Sequence, residues 1–79
     1  MQNFYTVLEV QQDANGNRGA IPTIYGDEDQ ALAKYYTICA AAAVSGIPYH
    51  AAEIIRDDGI ITEGRVFDRR ESEKEMAGE

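Results

Sequence analysis

A chain of 79 residues makes one domain, and a domain of that size buries only about 60% of the surface its unfolded form exposes. Its single cysteine excludes an internal disulfide and any CxxC or Cys/His zinc pattern, so oligomerisation is the remaining common device for supporting so small a core. A net charge of −7 argues against direct binding to a phosphate backbone, because that affinity comes largely from Lys and Arg releasing counterions.

The acidity belongs to the whole chain: nine acids and four bases fall in residues 1–67, five acids and three bases in residues 68–79. Its first consequence is solubility. The amino-terminal MQNFYTVLEVQQD has no basic region followed by a long apolar stretch, and no segment approaches the roughly 18 apolar residues of a membrane span. The expectation is a soluble cytoplasmic protein with no membrane contact.

Phe4 to Gln11, FYTVLEVQ, reads as a strand rich in aromatic and β-branched residues. Alternation puts Phe4, Thr6, Leu8 and Val10 on a fully apolar face, with Tyr5, Val7, Glu9 and Gln11 opposite. The Asn15-Gly16 pair in DANGNRG tolerates the positive φ of a tight turn and leads into a second strand, Ala20 to Tyr25. Pro22 cannot donate to a ladder, so that strand is expected to sit at a sheet edge or to be very short.

Asp27-Glu28-Asp29-Gln30 opens a helix. Asp27 is placed to cap it, Gln30 stands where a capping box expects it, and three carboxylates face the positive end of the helix dipole. Gly46, suited to a left-handed cap, and Pro48 close it, giving a helix over 28–45. YHAAEIIR then reads as a strand, and Asp58-Gly59 turns the chain into IITEGRVF, Ile60 to Phe67. Loop length leaves open which of Ile54 and Ile55 pairs with which of Ile60 and Ile61. DRRESEKEMAGE, with Met76 its one apolar side chain larger than alanine, reads as a flexible charged tail over 68–79. The order is β-β-α-β-β: an α+β two-layer domain over 1–67, an antiparallel sheet of three or four strands with one Ala-rich helix across one face.

That helix is unusual. Leu32, Tyr35, Tyr36, Cys39, Ala42 and Ala43 form the stripe expected to serve the sheet, yet Lys34 is the only charge between Asp29 and Ser45. The outward positions Ala33, Ala40, Ala41 and Val44 are apolar and small enough for a second helix to approach closely. They are the expected self-association surface of a homodimer. Tyr5 and Val7, on the less apolar strand face, point to sheet-face or strand-edge pairing as the rival mode.

Chemistry-bearing candidates are few. Cys39 and His50 are the only nucleophile and base types that could pair. Cys39, however, sits among alanines with no Lys or Arg within a turn, a setting that favours an inert packed thiol. DANGNRG begins like a calcium loop but has Arg18 where a glycine and Ile24 where a bidentate glutamate are needed, so it reads as a hairpin. No phosphate loop, nucleophile elbow or RNA-binding aromatic signature is present. No catalytic residue, cofactor or metal is expected. Tyr5, Tyr25 and Tyr49 are candidates for a contact surface, since each joins apolar area to a polar tip.

FYTVLEVQ, the DxxQALAKYY helix start, AAAAVSGIPYH and the IIRDDG hairpin together resemble small uncharacterised proteins of bacterial prophages and other mobile elements, over most of residues 2–67. The resemblance implies a non-enzymatic accessory role. The functional expectation is a small oligomeric interaction protein, with a host or phage protein as a further partner. The alternative is an acidic nucleic-acid mimic that inhibits a host DNA-binding or defence enzyme, which requires carboxylates along one continuous face.

Overall fold

The computed structural model describes residues 3–70. Four strands, β1 (Tyr5–Gln12), β2 (Arg18–Tyr25), β3 (Tyr49–Arg56) and β4 (Ile61–Asp68), and one helix, α1 (Glu28–Val44), follow in the order β1-β2-α1-β3-β4. The strands form a single antiparallel sheet in the order β2-β1-β3-β4. The architecture is therefore the expected α+β two-layer one. β2 and β3 run in the same direction on either side of β1, so the connection through α1 has to pass over one face of the sheet. The Pro22 strand lies at an edge, where a missing N–H is tolerated.

The two hairpins are held by local chemistry. At the first tip the backbone N–H groups of Asn15 and Asn17 both donate to Asp13 Oδ1 at 2.9 Å, and Gly16 supplies φ +86°. These bonds hold the exposed Asp13 carboxyl below the ordinary carboxylate range, the Asn17 backbone contact contributing most. At the second, Gly59 supplies φ +88°, Ile60 N–H donates to Asp58 Oδ1 at 3.1 Å, and Arg56 grips Asp58 at 2.7 Å. The register left open by the sequence is Ile55 opposite Ile61, with an irregularity between Ile54 and Ile55.

The helix starts at the expected place, with the Asp27 carboxylate accepting from Asp29 N–H at 3.3 Å. Its end differs. Gly46 does not take a left-handed φ; Ser45 is the cap residue, in extended conformation. The carbonyls that a glycine motif would have satisfied are taken by Arg69, whose Nη2 donates to Ala42 O at 2.8 Å and Ala43 O at 2.9 Å, placing a cation at the negative end of the helix dipole. Arg69 N–H also donates to Pro48 O at 2.6 Å. Asp68, Arg69 and Arg70, assigned by sequence to a tail, are thus tied to the fold, while residues 71–79 lie outside the described residues.

Two faces differ from expectation. On β1 it is Val7, fully buried opposite Ile54, that meets the helix, and Thr6, Leu8 and Val10 face away. The register accompanies the reversal: it sets Leu8 against Glu53 on the far face, whereas the inner-face Glu9 lies two pairs from His50 on the same face, within hydrogen-bond reach of it. On α1 the buried positions are Ala31, Tyr35, Ile38 and Ala42. Ala31 and Ile38 point to the sheet and Tyr36 and Ala43 outward, with Leu32 and Cys39 half-buried at the margins. Small residues at 31, 42 and 52 let the helix approach the sheet, and Tyr35 fills the centre. Among the described residues only Val7 and Ile54 are large and fully buried.

Candidate functional site

Between helix and sheet one polar cluster is enclosed. His50, 3% exposed, has its Nε2 2.7 Å from Glu9 Oε2; Gln11 Nε2 donates to the same oxygen at 2.9 Å. On the other ring edge, Nδ1 lies a long 3.4 Å from Ser45 Oγ, and Ser45 Oγ accepts from Ile47 N–H at 3.2 Å. The carboxylate can only accept, so Nε2 donates to Glu9, while Nδ1 faces the Ser45 hydroxyl. Burial pushes the Glu9 carboxyl up, but the His50 and Gln11 hydrogen bonds and the nearby His50 and Lys34 charges outweigh it, and the net displacement is downward. The cluster joins β1, β3 and the helix end. With its donors and acceptors satisfied and the imidazole sealed from solvent, it acts as a structural clasp.

Cys39 and His50 are not brought together. Cys39 is half-buried beside Tyr35; burial, then a hydrogen bond with the thiol, pushes the Tyr35 phenol up to about 12. Tyr5 and Tyr25 pair across strands and pack, half-buried, on the core rim. Tyr49 is half-buried at the opposite end of the sheet under Arg70. Among the described residues no group of three or more His, Cys, Asp or Glu side chains is arranged to hold a metal, and no helix is long and apolar enough to cross a membrane.

Ala33, Ala40, Ala41 and Val44 are all exposed, Val44 at 86%. Thr37 beside them donates its hydroxyl back to Ala33 O at 2.9 Å, so this side of the helix presents little but methyl groups. The sheet's outer face carries larger apolar groups. Reading across β2, β1, β3 and β4, one row is Ala20, Val10, Ala51, Val66; the next is Pro22, Leu8, Glu53, Gly64; the third is Ile24, Thr6, Ile55, Ile61. Ile24 is 65%, Ile61 57% and Val66 55% exposed. Glu53 is the one charge in these rows. Gly64 opposite it contributes no side chain, and the depression of about 300 Å3 there leaves the carboxylate room at the β4 side.

This face was only partly legible in advance. Alternation in the sequence marks Leu8 and Val10 as an apolar strand face, and the fold leaves that face uncovered by the helix. The described carboxylates do not line a single face. Asp27, Glu28, Asp29, Asp57 and Asp58 gather where the helix begins and the second hairpin turns; Glu9 is inside, Glu53 on the outer face and Glu63 on the helix side. No protein-family model, curated protein or solved structure matches the chain.

Proposed function

We propose that the chain is a small, non-enzymatic, self-associating interaction protein in which two copies pack through the outer faces of their sheets. The observation that carries this reading is the set of three apolar rows, with Ile24, Ile61 and Val66 each more than half exposed; a contiguous apolar patch of this kind usually marks an interface.

A second copy of the chain is the occupant that fits. The three apolar rows span four strands about 4.8 Å apart and about six residues, a face of roughly 400 Å2 in plan, so two copies bury on the order of 800 Å2, the size of a weak, reversible interface. Two sheets stacked about 10 Å apart make a helix-sheet-sheet-helix sandwich. That supplies the core volume which Val7 and Ile54 alone do not. Isologous packing sets a nearly uncharged surface against its own kind. The outer helix surface of Ala33, Ala40, Ala41 and Val44 is the competing site, but alanine removes less apolar area from water than Leu, Ile or Val.

Sedimentation equilibrium over roughly 1 to 100 µM, a range that brackets a weak specific dimer, tests the reading. A reversible dimer is expected. A monomer across the whole range overturns it.

A further inference from the structure

Beyond the apolar rows, at the end of the same sheet face, Gln12 pairs with Arg18 on β2 and with Tyr49 on β3. Gln12 Oε1 accepts from two arginines, Arg18 Nε at 3.0 Å and Arg70 Nη1 at 3.2 Å. The Arg70 guanidinium lies 4.6 Å from the Tyr49 ring centre and holds Asp68 through Nε at 2.9 Å and Nη2 at 3.1 Å. With Val10 and Gln11, the residues Gln12, Arg18, Tyr49 and Arg70 line an open depression of about 200 Å3.

The charge balance of this corner is unlike that of the rest of the molecule. In a chain of net charge −7, two guanidinium groups converge on one neutral oxygen, and Asp68 pairs with Arg70. Asp13, the acid nearest Arg18 in sequence, is engaged by its own loop, where Oδ1 accepts the N–H groups of Asn15 and Asn17 and Oδ2 accepts from Asn17 Nδ2 at 3.2 Å. Among the described residues no carboxylate lies within ion-pair distance of Arg18. Its Nε is occupied by Gln12, and the two terminal nitrogens present the planar fork that matches a carboxylate.

We propose that this depression binds a small monocarboxylate with an apolar or aromatic body. The carboxylate sits bidentate on the outer edge of Arg18, and the body lies against Val10 and the Tyr49 ring. One uncompensated positive charge suits a monoanion, and the field of a strongly acidic protein disfavours a dianion such as phosphate. The site lies at the polar rim of the apolar face, which stays accessible to solvent when such a face is covered.

The test is a titration of the whole protein with sodium benzoate, followed by amide and arginine Nε proton–nitrogen correlation spectra. Saturable shifts are expected at Gln12, Arg18, Tyr49 and Arg70, with half-saturation on the order of 1 mM, as befits one ion pair and one ring contact. Benzamide, the neutral isostere, leaves them unmoved. Arg18→Gln weakens benzoate by tenfold or more, and Arg18→Lys, which keeps the charge and loses the fork, also weakens it. No saturable shift with benzoate, an equal response to benzamide, or unchanged binding in a folded Arg18→Gln protein overturns the site. Tighter binding of inorganic phosphate than of benzoate overturns the monocarboxylate assignment. The benzoate and benzamide comparison on the unaltered protein decides the matter if neither variant folds.

Discussion

Val66 and Val44 separate the two apolar surfaces on which a second copy could dock. Val66 is on the outer face of β4 and 55% exposed; Val44 is near the end of the helix and 86% exposed. Covering the exposed half of the Val66 side chain contributes about 1 kcal/mol per copy, given ~1.5 to 3 kcal/mol for full burial of such a group. Symmetry makes it about 2 kcal/mol per dimer. Val66→Lys forfeits this and adds a charge that must keep its water, so even with the ammonium reaching past the sheet edge the dissociation constant rises at least roughly 30-fold. The folded monomer changes by no more than about 0.5 kcal/mol, because the position is half-solvated in the single chain. Val44→Lys leaves the dimer intact. The assay is sedimentation equilibrium of the three proteins at equal concentration, with thermal melts at low concentration as the control for folding. A dimer that survives Val66→Lys and dissociates with Val44→Lys would refute the sheet-face reasoning and restore the helix surface of Ala33, Ala40, Ala41 and Val44. A dimer indifferent to both would place the contact at a strand edge.

The enclosed cluster makes a pH prediction. The Glu9 carboxyl ionises below its ordinary 4.5 in the folded state, so its stabilising contribution is fully present above that value and disappears as pH falls through the folded one. Thermal melts of Glu9→Gln should show about 1 to 2 kcal/mol less stability at neutral pH, with the gap from the unaltered protein closing below pH 4.5; a gap independent of pH would contradict the ion pair. Gly59→Ala should cost about 1 to 2 kcal/mol in denaturant unfolding, because φ is +88° there and a Cβ disfavours it, whereas Gly46→Ala, at an ordinary φ, should be neutral or slightly stabilising. Arg69→Ala should remove the two carbonyl contacts at the helix end and cost about 1 kcal/mol. Its signature is faster amide hydrogen exchange confined to the last turn of α1 and the segment after it, and unchanged protection there would count against Arg69 as the cap.

Local chemistry determined the elements and their order. Asn15-Gly16 and Asp58-Gly59 require turns because glycine tolerates positive φ, Asp27 can accept from the first helix turn, and YHAAEIIR is a short run bounded by Pro48 and the Asp58-Gly59 turn, so β3 is found where the sequence predicts it. These signals act within a few residues and survive in the bare sequence. Which face of each element is buried is another matter. Apolar residues occupy both faces of β1 and most of α1, so periodicity cannot choose. The choice falls to the register that sets Val7 against Ile54 and brings Glu9 within reach of His50, 41 residues away. The same long-range closure carries Arg69 to the helix end and gathers Gln12, Arg18, Tyr49 and Arg70 into one corner. Pairings between residues so distant along the chain are set by packing and charge compensation across the whole sheet. Only the tertiary structure therefore decided that the helix covers Val7 and leaves Leu8 and Val10 on the outer face.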